Sequence, residues 1–112
     1  MRKRFENKVV IVTGSGSGIG ETTAIKFSEE GANVIIADIN PETGNQVANT
    51  INDKAGKSQF IETDVSDLNS VKNMVEETVK QFGPPDVLIN NAGINVFNEP
   101  LKMSIEEWKR AF

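Results

Sequence analysis

The glycine-rich run at residues 13–20, TGSGSGIG, constrains the fold more than any other stretch. It follows Lys8 to Val12, an apolar run rich in β-branched residues that is typical of a strand buried on both faces. A helical pattern follows, from Ile19 to Glu30. Glycines let such a turn approach a phosphate, and the helix start supplies free N–H groups. The run therefore predicts an anion site, and the alternative is a flexible glycine-serine turn that binds nothing.

The rest of the chain alternates strands with helices, which predicts parallel strands joined by right-handed crossovers. The predicted strands are 8–13, 33–38, 58–63 and 86–90, and the predicted helices are 19–30, 41–55, 68–82 and one that begins at Ser104. Asn40 and Asp67 are predicted N-caps, and Gly31 is a predicted helix stop. The residues expected to face inward from the helices are Ile19, Thr23, Phe27, Val47, Ala48, Ile51, Leu68, Val71, Val75, Val79 and Phe82.

Composition excludes several functions. The net charge of −4 gives no basic face for nucleic acid or an anionic membrane, and the basic cluster at residues 1–4 is expected to be a solvated tail. No apolar run approaches a membrane span or a signal-peptide core, so we expect a soluble, cytoplasmic protein. With no cysteine and no histidine, a thiol nucleophile, a cysteine-zinc site and a Ser-His-Asp triad are impossible.

Two motifs resemble a known family. The glycines do not fit G-x-G-x-x-G, but they fit T-G-x-x-x-G-I-G, and residues 90–93 read N-N-A-G. Both motifs are similar to those of the classical short-chain dehydrogenase/reductase family, although N-N-A-G alone is also an ordinary turn. The resemblance implies an α/β fold. It is a partial Rossmann-like, doubly wound parallel sheet of four strands in the order 3-2-1-4, with helices on both faces. Residues 1–112 would form one NAD-binding domain, incomplete at its C-terminus.

The resemblance also implies which residues meet the cofactor. Asp38 lies 18 residues after Gly20, where an acid accepts hydrogen bonds from the adenosine ribose. Asp64 and Val65 would hold the adenine ring, and Asn90 would brace the sheet. The acids could instead be simple caps or solvated groups. The predicted cofactor-binding residues are Gly14, Ser17, Gly18, Ile19, Gly20, Asp38, Ile39, Asp64, Val65, Asn91, Ala92 and Gly93, with no catalytic residue and no metal ligand.

The implied function is that of an oxidoreductase that transfers hydride between NAD and an alcohol or carbonyl substrate, in a parent protein expected to be a homo-oligomer. NAD is preferred to NADP because neither Ser17 nor Ile39 is basic and Asp38 would repel a 2′-phosphate. The family's catalytic serine and Tyr-x-x-x-Lys pair lie in a second half that is missing here, and the chain has no tyrosine at all. We therefore expect a truncated, inactive chain.

Three alternative functions differ in how well they fit the sequence. A non-catalytic dinucleotide-binding or interaction module fits the 112 residues as they stand. A methyl-transfer domain that uses S-adenosylmethionine would share a similar sheet, but the N-N-A-G loop does not favour it. A phosphate-binding NTPase is excluded because no Gly-Lys-Ser/Thr follows the glycine loop.

Overall fold

The computed structural model describes residues 3–16 and 18–91, and the backbone of 95–97. Strands and helices alternate as the sequence predicts, with boundaries that differ by a residue or two. The elements are β1 (Val9–Thr13), α1 (Gly18–Glu29), β2 (Asn33–Asp38), α2 (Pro41–Asp53), β3 (Lys57–Glu62), α3 (Leu68–Phe82), β4 (Val87–Asn90) and β5 (Asn95–Phe97). The helix predicted from Ser104 lies outside the described residues.

The sheet has the order β3-β2-β1-β4-β5. Strands β1 to β4 are parallel, so the predicted order 3-2-1-4 is confirmed. The prediction missed β5, which pairs antiparallel with β4 and places Phe97 opposite Leu88. Strand β4 is therefore not the outer edge that a four-strand sheet would make it. A three-residue strand is too short to give a period-two pattern in the sequence.

The helices cover both faces of the sheet. Val10, Val34 and Ile36 point to one face, where they pack with Ala24 of α1 and with the buried residues of α2. The alternate residues of the same strands point to the other face, and there they pack with Val71 and Met74 of α3. Strands buried on both faces explain the uninterrupted apolar runs in the sequence.

Two of the helices bury only part of the predicted stripe. Phe27 of α1 and Val71, Val75 and Phe82 of α3 pack against the core as predicted. In α1 the buried residues are Gly20 and Ala24, whereas Ile19 is 78% exposed. In α3 the buried stripe includes Met74 and Thr78, while two residues predicted to face inward, Leu68 and Val79, are 42% and 46% exposed. Small side chains let α1 lie close to the sheet, and this contact overrides the spacing of its large apolar residues. The inward face predicted for α2 is confirmed.

The predicted helix ends are confirmed. The Asn40 side chain accepts hydrogen bonds from the first-turn N–H groups of α2, and Asp67 does the same for α3. Gly31 ends α1 with a φ of 92°. The basic segment before β1 is not wholly a solvated tail, because Arg4 Nε lies 3.0 Å from Glu30 Oε1 and the Phe5 ring packs edge-on against Phe27. None of the helices in the described ranges has the length and apolarity that crossing a bilayer demands.

Candidate functional site

The carboxyl ends of the parallel strands lie side by side at one edge of the sheet. Thr13, the last residue of β1, is in register with Ala37 of β2 and with Asn90 of β4. Asp38 ends β2 opposite Glu62 of β3. In doubly wound sheets this edge is where ligands bind, because the loops that leave the strands enclose a crevice there.

The glycine loop crosses this edge between β1 and α1. Gly14 and Gly18 have φ values of 63° and 61°, a backbone conformation that favours glycine. The Gly14 N–H donates to the Ala37 carbonyl oxygen over 2.8 Å, which ties the loop to β2. A Cβ atom at Gly20 would overlap the Gly14 carbonyl oxygen, so α1 begins in direct contact with the loop. Ser17 lies outside the described residues.

Helix α1 begins directly after the glycine loop. Gly18 and Ile19 are its first residues, and both are exposed, while Gly20 is buried. The first N–H groups of a helix have no partner within the helix, and they lie at the positive end of its dipole. An anion at this edge would therefore find backbone donors together with a favourable field.

Asp38 is held by backbone N–H groups on two sides. Its Oδ2 accepts a hydrogen bond from Gly16 N at 2.8 Å, and its Oδ1 accepts one from Asn40 N at 2.9 Å. A carboxylate oxygen has two lone pairs, so each oxygen can accept one further hydrogen bond. The half-buried side chain is thus fixed in orientation and still able to bind a pair of hydroxyl groups.

A cleft of about 180 Å³ opens between the ends of β1, β2 and β3. Among the described residues that line it, two have carboxyl side chains and none is basic. The residues that line it are Thr13, Gly14, Ala37, Asp38, Ile39, Thr63, Asp64 and Val65. Five of the predicted cofactor residues, two of them acids from separate strand ends, are therefore brought together around one cavity.

Asp64 also organises the turn after β3. Its Oδ1 accepts hydrogen bonds from the hydroxyl of Ser66 at 2.6 Å and from the Ser66 N–H at 2.9 Å. These bonds, the hydroxyl first, hold the pKa of Asp64 below its ordinary value of 3.8. The carboxyl group is therefore ionised at neutral pH, so it can accept hydrogen bonds but cannot donate one.

The end of β4 is fastened to the end of β1. Asn90 is fully buried, and its Oδ1 lies 3.3 Å from the Thr13 hydroxyl. That hydroxyl accepts a hydrogen bond from Asn91 N at 3.1 Å, and Asn91 Nδ2 reaches the Gly14 carbonyl oxygen at 3.4 Å. Asn91 therefore lies beside the glycine loop. Ala92 and Gly93 lie outside the described residues.

A family model described as short chain dehydrogenase matches residues 8–112. The chain belongs to the short-chain dehydrogenase family. The match covers every described strand and helix, so the glycine loop and the strand ends described above are those of a short-chain dehydrogenase.

Individual relatives agree with this assignment. The chain is 43% identical over 107 residues to meso-2,3-butanediol dehydrogenase from Serratia marcescens, and the match covers 96% of this chain and 42% of that protein. A dehydrogenase/reductase from Sinorhizobium meliloti 1021 has a TM-score of 0.77 at 31% identity, over 82% of this chain and 37% of that one. A putative D-mannonate oxidoreductase from Haemophilus influenza, solved with bound NAD, has a TM-score of 0.72 at 32% identity, over 74% of this chain and 30% of that one. The chain thus spans less than half the length of these short-chain dehydrogenases.

Sequence reasoning missed two residues beside Asp38 at this candidate site. Gly16 supplies a backbone donor to Asp38, and the Thr43 side chain lies beside it at the start of α2. Gly16 could have been noticed in the sequence. The motif T-G-x-x-x-G-I-G allows any residue at that position, so the motif does not explain why glycine stands there. Thr43 had none, since its place at the site depends on how α2 packs against the loop. Within the described ranges, histidine, cysteine and acidic side chains nowhere gather in threes as a metal site would need.

Proposed function

We propose that this chain holds the adenosine and pyrophosphate part of NAD within a short-chain dehydrogenase that transfers hydride between the nicotinamide and an alcohol or carbonyl substrate. The observation that carries the proposal is the position of Asp38. Its carboxylate is fixed at the mouth of the cleft by two backbone N–H groups and keeps a free lone pair on each oxygen. A ribose with free 2′- and 3′-hydroxyl groups offers two donors that match these two acceptors.

Asp38 also supports the preference for NAD over NADP. A 2′-phosphate would place negative charge beside the carboxylate, and the described lining of the cleft includes a second acid, Asp64, but no lysine or arginine. A like-charge contact in a partly desolvated crevice costs about 1 kcal/mol or more, which corresponds to roughly tenfold in affinity. The bound NAD of the Haemophilus influenza relative supports the same cofactor class.

The other positions follow from the same edge. The adenine ring would lie in the cleft, where the Asp64 carboxylate can accept from its exocyclic amine and the Val65 backbone can meet a ring nitrogen. The pyrophosphate would lie against the glycine loop and the first N–H groups of α1, at Gly18 and Ile19. Asn91, with Ala92 and Gly93 after it, would lie along the adenosine ribose. Gly20 would keep α1 close enough to reach the phosphates.

We further propose that the 112 residues bind the cofactor without turning it over. The nicotinamide supplies the hydride chemistry when it is bound, but proton transfer to or from the substrate oxygen needs a positioned acid or base. The sequence contains no tyrosine, histidine or cysteine for that role. The described part of the chain would therefore act by binding and orienting the cofactor, so the chain taken alone would be a non-catalytic dinucleotide-binding module.

Titration calorimetry with NAD and NADP tests the proposal. We expect NAD to bind at least tenfold more tightly than NADP, and Asp38→Asn to remove most of that difference because it keeps an acceptor oxygen but loses the charge. The control is Glu62→Gln. Glu62 is the residue paired with Asp38 in the sheet; it is exposed and does not line the cleft, so removing its charge should not change the ratio. Equal affinities for NAD and NADP, or no effect of Asp38→Asn, would contradict the proposed role of Asp38.

A further inference from the structure

We propose that Gly16 is a positioning residue that holds the Asp38 carboxylate in place and so determines how strongly the site prefers NAD to NADP. The inference rests on the proposed function, because it assigns to Gly16 part of the discrimination that Asp38 is proposed to make. Gly16 lies between Gly14 and Gly18, at a position where the family motif allows any residue.

The backbone conformation does not explain a glycine at this position. Gly14 and Gly18 have positive φ values, which a larger residue adopts only at a cost, whereas Gly16 is not among the residues with positive φ. Gly16 also lies before the first residue of α1, so the geometry of that helix does not require a glycine here. Any requirement for glycine here has to come from its surroundings.

The surroundings leave no room for a side chain. A Cβ atom at Gly16 would lie 2.7 Å from Thr43 Oγ1 and 2.9 Å from Asp38 Oδ2. Both distances are shorter than a carbon atom and an oxygen atom normally approach. An alanine at this position would therefore push the Asp38 carboxylate away from the loop, the Thr43 side chain away from it, or both.

Glycine also lets the two groups form a hydrogen bond. Gly16 is buried, and a buried N–H group needs a partner, which is Asp38 Oδ2 at 2.8 Å. A backbone N–H paired with a carboxylate makes a charge-assisted hydrogen bond, stronger than one between neutral groups. Together with the bond from Asn40 N, it restrains the carboxylate from two sides, so the lone pairs that remain keep one direction.

The consequence is specific to the cofactor. Moving the carboxylate weakens its hydrogen bonds to an unphosphorylated ribose and also reduces its repulsion of a 2′-phosphate. A substitution at Gly16 should therefore lower NAD affinity while leaving NADP affinity almost unchanged. A role in folding alone would lower the two affinities by the same factor.

The test is a set of binding measurements on the full chain with NAD and NADP, using Gly16→Ala, Asp38→Ala and the double variant. We expect Gly16→Ala to weaken NAD binding about tenfold and NADP binding less than threefold. In the Asp38→Ala background the same substitution should leave the NAD to NADP ratio unchanged, since the group it acts through is gone. Gly56→Ala is the matched control. Its Cβ would lie 2.7 Å from Ile51 Cγ2, a similar crowding at a glycine that does not line the cleft, and it should lower stability without changing the ratio.

Two results would overturn the inference. One is an equal loss of NAD and NADP affinity in Gly16→Ala, and the other is full additivity with Asp38→Ala. If the wild-type chain binds neither dinucleotide, or if Asp38→Ala does not change the ratio of NAD to NADP affinity, the proposed function is wrong. The inference about Gly16 is then wrong too, because it depends on that function.

A measurement without cofactor keeps the inference testable if Gly16→Ala does not fold. In an amide NMR spectrum, Asp38→Ala should shift the Gly16 proton upfield and accelerate its exchange with solvent, while Glu62→Gln should not. An unchanged Gly16 signal in Asp38→Ala would show that the carboxylate does not hold the loop, and it would overturn the inference independently of any binding result.

Discussion

The Thr13 hydroxyl, at the end of β1, lies 3.3 Å from Asn90 Oδ1, at the end of β4, and both side chains are fully buried. The same hydroxyl lies 3.3 Å from the Ile89 carbonyl oxygen and accepts from Asn91 N. A hydroxyl group has one proton, so it donates to one of two acceptors while it accepts from the third group. This one side chain therefore joins two neighbouring strand ends at the edge that carries the candidate site.

Thr13→Val keeps the shape of the side chain and removes these hydrogen bonds. We expect a loss of about 1–3 kcal/mol in the free energy of unfolding, because the part-buried Asn91 N–H loses its acceptor. Urea denaturation measures the loss, and amide exchange should show that Asn91 N–H is less protected. Thr13→Ser keeps the hydroxyl and should keep that protection. If the Asn91 amide is equally protected in Thr13→Val, the hydroxyl is not its partner in solution.

A second prediction concerns the C-terminal end of α2. Ala55 is exposed and has a φ of 65°, the left-handed conformation that glycine adopts at least cost, and Gly56 N bonds the Ile51 carbonyl oxygen behind it. Ala55→Gly should therefore stabilise the chain by about 0.5–1 kcal/mol. Thermal unfolding by circular dichroism measures the change, expected as a rise of a few degrees. An unchanged or lower midpoint would mean that this turn is not held in the left-handed region.

The neighbouring glycine should behave in the opposite way. A Cβ atom at Gly56 would lie 2.7 Å from Ile51 Cγ2 and 3.0 Å from the Ile51 carbonyl oxygen. Gly56→Ala should thus lower the thermal midpoint, although alanine restricts the unfolded chain more than glycine does. The pair separates the effect of backbone conformation, at Ala55, from the effect of crowding, at Gly56.

The sequence was sufficient to predict the elements whose signals are local. Strands buried on both faces give continuous apolar runs, and Asn40 and Asp67 cap helices through hydrogen bonds within their own first turn. The sequence predicted only in part which helix residues pack against the sheet. The choice of Gly20 and Ala24 over Ile19 as the buried face of α1 depends on how closely the helix approaches the sheet.

The candidate site shows the same division. The sequence predicted that Asp38 and Asp64 end neighbouring strands, and the sheet order places both on one cleft. It did not predict the bond between Gly16 and Asp38, which joins groups 22 positions apart in the chain. Nor did it predict β5, whose three residues form a strand because β4 offers a free edge to pair with.

A third prediction concerns the pH dependence of the turn after β3. The Ser66 hydroxyl and N–H lower the pKa of Asp64 below 3.8, so this contact stabilises the fold above that pH and is lost as pH falls through the lowered pKa. Ser66→Ala removes the hydroxyl and leaves the N–H bond, and the pKa should rise part of the way to 3.8. Carbon-13 NMR titration of the Asp64 carboxyl group measures it. Ser70→Ala is the control, because the Ser70 hydroxyl bonds the Asp64 N–H rather than its carboxylate.

The last prediction tests the cofactor preference by reversing it. Asp38→Ser removes the charge that repels a 2′-phosphate, and Ile39→Arg adds a cation next to it at an exposed position that lines the same cleft. We expect the double variant to bind NADP more tightly than NAD, with Asp38→Ser alone nearly indifferent between them. Titration calorimetry measures the ratio of the two affinities in 0.15 M and in 0.5 M salt. The increase in NADP affinity that the arginine provides should be smaller at the higher salt concentration, because salt screens its charge. Ile39→Arg alone should change the ratio far less, since the new cation then lies beside the Asp38 carboxylate. If the double variant still prefers NAD, the ribose does not lie against residues 38 and 39, and the cofactor would have to enter this edge of the sheet in another orientation.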